Sequence, residues 1–74
     1  MTQYERFLRK LGQRIREERV KAGLTQEDME SHDEMKIEVR HYQRIEAGEV
    51  SVALRTLYKI AKRLRVPPGT LLDF

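Results

Sequence analysis

Residues 11–28 read LGQRIREERVKAGLTQED: a charged amphipathic run, a glycine break and a polar restart. Around and within this stretch Tyr4, Leu8, Leu11, Ile15 and Ala22 recur at helical spacing, with Arg6, Arg9, Arg16 and Lys21 among the intervening polar positions. On a helix these apolar side chains form one stripe, so the spacing predicts a first amphipathic helix of about five turns over residues 4–22. Gly23 ends it, because glycine takes the left-handed cap conformation without steric cost, and Leu24 returns the chain to the core. Thr25 then caps a second helix over about residues 26–32. Its hydroxyl can accept from a first-turn amide, and Asp28 stands three residues on, where a capping-box acid belongs. Ser31 and Glu34 repeat that spacing, so the short signal is not unique to one position.

Downstream, Ile37, Val39, Tyr42 and Ile45 carry the apolar pattern of a third helix, over about 39–47, which stops at Ala47 and Gly48 and exposes Arg40, Gln43 and Arg44. Tyr42 is in phase with Val39 and Ile45, which assigns it to the core rather than to a stacking platform for bases. Ser51 is a candidate N-cap for a fourth helix over about 52–64, with Leu54, Leu57, Ala61 and Leu64 as its stripe and Lys59, Lys62 and Arg63 pointing mostly outward. Val66 and Pro67 break that helix, and Pro68 at a first helical position opens a fifth over 68–72, bearing Leu71 and Leu72 and followed by Phe74. No run of alternating β-branched residues and no Asn-Gly or Asp-Gly hairpin signal competes. The expected fold is all-α, a compact bundle of five short helices in one domain spanning residues 1–74.

The 74 residues allow one modest core, since a chain of this length buries only about 60% of the surface it exposes when unfolded. There is no cysteine, hence no disulfide framework and no thiolate metal site, which fits a reducing cytoplasm. The chain has no apolar segment of the kind a secretory signal or a membrane span needs, and the stripe of the basic first helix suits a bundle core better than a membrane surface. The net charge of +3 permits an anionic partner without identifying one. Its distribution is uneven: Glu27, Asp28, Glu30, Asp33, Glu34 and Glu38 make the middle acidic between two basic flanks. His32 beside Asp33 and Glu34 is read as a surface histidine, because zinc needs three or four converging ligands and His41 is the only other histidine. Nothing points to a catalytic residue, a metal, a cofactor or a small-molecule substrate: there is no glycine-rich phosphate loop and too little bulk for a deep pocket.

Laid out in order, LGQRIREERVKAGLTQED, YQRIEAG and TLYKIAKRLRVPPGTLL resemble the phage-repressor and Cro-like (XRE) helix-turn-helix family over Leu11 to Leu72. The resemblance rests on Gly-Leu-Thr-Gln opening the second helix, Arg-Ile-Glu-x-Gly closing the third and Thr-Leu-x-x-Ile-Ala-x-x-Leu in the fourth. It implies a lambda-repressor-like fold, the helix-turn-helix being helices two and three, and a sequence-specific transcriptional regulator of repressor type rather than an enzyme. A helix fits the major groove, where every base pair presents a distinct donor and acceptor pattern. By the resemblance, Val39, Arg40, Gln43 and Arg44 on helix three face base edges, and Gln26, His41 and Ser51 contact phosphates. It also implies a structural ion pair between Arg19 and Glu46.

The sequence departs from the family between the two helices. Thr25 to Glu46 spans 22 residues, about two more than usual, so Asp33 and Glu34 read as an insertion. Glu30 stands where the family favours alanine, and Lys36 where it favours glycine. The expected partner is double-stranded DNA, bound by a homodimer whose half-sites lie about 10–10.5 base pairs apart, with Leu71, Leu72 and Phe74 as the dimer contact. The rival reading keeps the fold and uses the acidic 27–38 stretch to bind a basic protein; a toxin-neutralising repressor and a restriction-modification controller are further alternatives.

Overall fold

The chain opens on a capping box. In the computed structural model, which describes residues 1–33 and 36–74, Thr2 Oγ1 accepts from the Glu5 amide at 3.0 Å and Glu5 Oε1 accepts from the Thr2 amide at 2.7 Å. This satisfies two of the free first-turn amides and starts helix α1, Gln3–Lys21. Its buried face is Leu8, Leu11, Gly12, Ile15 and Glu18. Tyr4, expected in that stripe, is 54% exposed, because its hydroxyl shares a 2.5 Å hydrogen bond with Ser51 Oγ at the surface. Ala22 is exposed as well.

The expected second helix over 26–32 is corrected. Only a 3-10 turn, Glu27–Met29, forms, although Thr25 and Asp28 make both capping-box bonds, at 2.8 and 3.1 Å. Glu30 is already extended, and Ser31 pairs with Ile37 in an isolated antiparallel bridge, its amide donating to Ile37 O at 2.9 Å and its carbonyl accepting from Ile37 N at 3.1 Å. That bridge uses the backbone groups a longer helix would need, and it carries Ile37 into the core at 2% exposure. The Ser31 hydroxyl donates to Asp33 rather than capping a helix, and Glu34 of the repeated signal lies outside the described residues.

Helix α2, Val39–Glu46, is the expected third helix, and α3, Leu54–Leu64, the expected fourth. The start of α3 is also a correction: its N-cap is Ala53, not Ser51, whose hydroxyl is engaged by Tyr4. Leu54 is therefore 81% exposed at the first position, and the true stripe is Leu57, Ile60, Ala61 and Leu64. Helix α4, Pro68–Leu71, is a single turn opened by proline. One cluster joins Leu11, Ile15, Met29, Ile37, Tyr42, Ile45, Leu57, Ile60, Ala61, Leu64 and Leu71. An isolated turn of three or four residues is unstable in water. Met29 and Leu71, each worth roughly 1.5–3 kcal/mol when buried, dock the 3-10 turn and α4 onto the longer helices. Among the described residues the regular structure is thus all helical, and no helix is long and apolar enough to cross a membrane.

Three helices end the same way. Gly23, Gly48 and Arg65 each take a left-handed conformation, at φ +74°, +72° and +61°, and donate their amides to the carbonyls of Val20, Ile45 and Lys62, while the next residue in each case donates one carbonyl further back, to Arg19, Arg44 and Ala61. Arg65 bears a side chain where glycine is favoured. Arg65→Gly is accordingly expected to stabilise the domain by about 1 kcal/mol, read as a rise in Tm of about 4–8 °C. An unchanged or lower Tm would contradict this account of the α3 terminus.

Candidate nucleic-acid interface

Helix α2 divides its side chains cleanly. Tyr42 and Ile45 are buried, Val39 is half-buried, and Arg40, His41, Gln43 and Arg44 are exposed. Arg40, Gln43 and Arg44, with Ala47 and Glu49, line an open groove of about 490 Å³. Arg44 Nε lies 3.8 Å from Glu49 Oε1, but both side chains are more than 60% exposed, so water screens the pair and the guanidinium is available to an external anion. The 3-10 turn and α2 correspond to the two helices of the expected motif, and the Ser31–Ile37 bridge lies between them in the chain.

What orients α2 is a buried polar frame. Arg19 Nε donates to Glu46 Oε2 at 2.7 Å, Arg19 Nη2 donates to Glu46 Oε1 at 3.3 Å, and Arg19 Nη1 donates to Leu24 O at 2.8 Å. The two side chains are only 11% and 4% exposed. Gln26 Nε2 adds a third bond to the carboxylate, at 3.0 Å to Oε1, and Gln43 Nε2 donates to Gln26 Oε1 at 3.2 Å. Burial works against the Glu46 charge, but Arg19, Tyr42 and Gln26 outweigh it and hold the carboxyl below its ordinary pKa. Burial, with the neighbouring Glu46 carboxylate, pushes the Tyr42 phenol well up. Among the described residues none meets the enclosed Tyr42 hydroxyl at good hydrogen-bonding geometry, although it lies near enough to Glu46 to favour the carboxylate. Beneath it, Gly12 lets α1 approach α2 closely: an added Cβ would lie 2.5 Å from Ile45 O and closer still to Glu46 O.

The lowered carboxyl sets a pH dependence. A carboxylate whose folded pKa is depressed stabilises the fold above its unfolded value, and that contribution is lost as pH falls through the folded one. Glu46 and Asp28 both shift this way, from ordinary values of 4.5 and 3.8; for Asp28 the causes are the Thr25 amide first, then its hydroxyl. Tm is therefore expected to stay level from pH 7 to about 5 and to fall below about pH 4.5, with a shallower acid limb in Glu46→Gln. An acid limb of equal steepness in that variant would remove Glu46 from the explanation.

Gln26 is half-buried and joined to Glu46 and Gln43, while Ser51 is exposed and joined to Tyr4; His41 is exposed on α2. Leu71 is fully buried and spent on this chain's own core, which corrects its assignment as a dimer contact; Leu72 and Phe74 are 43% and 48% exposed, with the Phe74 ring 5.5 Å from that of Phe7. Asp33 and the 3-10 turn are tethered to α3, where Lys59 Nζ pairs with Asp33 and Arg63 Nε donates to Asp28 O at 3.1 Å. Lys59, expected to point outward, has a side chain only 15% exposed for this reason. Among the described residues no group of three or more histidines, cysteines or acids is placed to hold a metal.

A family model described as helix-turn-helix matches residues 15–71, from the middle of α1 to the end of α4. The chain belongs to the XRE helix-turn-helix family. No curated protein matches it. XRE membership makes this a lambda-repressor-like domain with a DNA-binding, transcription-regulator kind of function. The bond from Gln26 to Glu46 and the close approach at Gly12 were not found by reading the sequence. Gly12 carried one available signal, a glycine on the apolar side of a helix otherwise rich in good formers, which a packing reason explains. The Thr2–Glu5 capping box was equally legible and equally missed.

Proposed function

We propose that the chain is a sequence-specific repressor that reads duplex DNA with the outer face of α2. The observation that carries this reading is one exposed face holding Arg40, Gln43 and Arg44 around a single groove, on a helix braced from behind by Arg19 and Glu46. An arginine can donate to guanine O6 and N7 together, and Val39 beside them suits a thymine methyl. Gln26, His41 and Ser51 are assigned to flanking phosphates. The protein acts as a cytoplasmic homodimer on a palindromic operator, with Leu72 and Phe74 as the apolar contact, and the reading gives it no catalytic step.

Selection from random duplexes, followed by gel shifts across salt, tests this. A recovered palindrome and an affinity that falls steeply with ionic strength are expected. Arg40→Ala and Arg44→Ala should each cost about 1–3 kcal/mol and relax one base position. Affinity indifferent to salt, or no recovered motif, overturns the proposal. A second reading draws on the exposed acids Glu27, Asp28, Glu30 and Glu38, which would repel phosphate and suit a basic protein partner, as in a toxin-neutralising regulator. An empty selection together with a stoichiometric complex with one basic protein would favour it.

A further inference from the structure

The bonds around Glu46 run in one direction. A carboxylate only accepts, so the Gln26 amide must turn its nitrogen toward Glu46 Oε1, where the distance is 3.0 Å. Its oxygen is then turned toward α2, and an amide oxygen also only accepts, so Gln43 must meet it with nitrogen, at 3.2 Å. The carbonyl oxygen of Gln43 is thereby directed away from Gln26, and Gln43 is exposed on the wall of the groove it shares with Arg40 and Arg44. A glutamine without such partners turns its amide over and offers either a donor or an acceptor. Here a turn of Gln43 sets its oxygen against that of Gln26, and a turn of both sets an oxygen against the Glu46 carboxylate.

We infer that Glu46, acting through Gln26, fixes which end of the Gln43 amide faces DNA, so that Gln43 accepts from a base bearing an exocyclic amine and rejects one bearing a keto oxygen. Adenine N6 and cytosine N4 are the amines shown in the major groove; guanine O6 and thymine O4 meet the Gln43 oxygen lone pair against lone pair. Glu46 and Gln26 are positioning residues in this scheme. The inference rests on the proposal that α2 reads bases, and it deepens that proposal by naming the chemical class read at one position.

The test uses the 74-residue chain, in competition binding between duplexes differing at single positions of the selected motif. Gln43→Ala identifies the position Gln43 reads, and there the unaltered protein is expected to prefer adenine or cytosine over guanine or thymine on the order of tenfold. Gln26→Met keeps an unbranched side chain and leaves the Arg19–Glu46 pair in place. It is expected to shrink that preference to about twofold or less, while the positions lost in Arg40→Ala and Arg44→Ala keep theirs. Loss of a phosphate contact at Gln26 lowers affinity for every duplex alike and cancels in the ratio. Gln26→Ala, with its fold checked by thermal melting, should behave as Gln26→Met does. The inference is overturned if both Gln26 variants keep the full preference, or if the position lost in Gln43→Ala favours guanine or thymine. If Gln43→Ala alters no position, Gln43 is not a reader and the inference falls while Arg40 and Arg44 stand. If the unaltered protein selects no motif, the base-reading proposal falls and takes the inference with it.

Discussion

Gly12→Ala is expected to lower the unfolding free energy by about 3 kcal/mol, near the top of the range for overpacked cores. The new methyl would meet backbone, Ile45 O at 2.5 Å, the Glu46 carbonyl carbon at 2.8 Å and Glu46 O nearer still, and backbone cannot rotate aside as a long side chain can. The relief available is to part α1 from α2, and that parting also stretches the Arg19–Glu46 bonds on the same side of the crossing. A domain of this size should lose about 4–8 °C in Tm for each kcal/mol, so melting reads the effect directly. Gly69→Ala serves as the control, since an added Cβ there has nothing within 4 Å and its helical position should accept alanine at no cost or a slight gain. Should Gly12→Ala melt within a few degrees of the unaltered protein, the close packing of α1 on α2 would be wrong.

Removing one member of the buried ion pair should cost a similar amount. Arg19→Met leaves the Glu46 carboxylate, 4% exposed, without its cationic partner and takes a donor from Leu24 O just past the end of α1. Stranding a buried charge in this way typically costs 3–5 kcal/mol, whereas replacing both members with apolar residues is often neutral. The expected pattern in urea unfolding is therefore non-additive: Arg19→Met falls by about 3 kcal/mol, and Arg19→Met with Glu46→Leu recovers most of the loss. Strict additivity of the two single losses would mean that the pair is not coupled as the geometry requires.

If the double variant regains stability but loses base selectivity, the charge pair is held for orientation rather than for stability. That outcome would connect the fold to the proposed reading of DNA through one side chain, because Glu46 closes α2, faces Arg19 of α1 and accepts from Gln26 ahead of the 3-10 turn.

Much of this architecture is written locally. The period of Leu8, Leu11 and Ile15, the glycines at 23 and 48, the Thr25–Asp28 cap and the proline at 68 each act on neighbours within a turn or two, so α1, α2 and α4 and their ends are legible from residue order alone. The same locality makes the XRE motif recognisable, since its signature residues are those caps and stripe positions. Three outcomes depend instead on residues distant in the chain. The second helix shrinks to a single 3-10 turn because Ser31 finds Ile37 as a backbone partner, α3 starts late because Tyr4 engages Ser51 across 47 positions, and Gly12 matters only because α2 lies against it. Propensity is a sum of small local terms of a few tenths of a kcal/mol, and a backbone pairing or a steric overlap between distant segments outweighs it. The direction of the amides from Glu46 to Gln43 belongs to this second group, because hydrogen-bond polarity passes only between side chains that folding has already brought into contact.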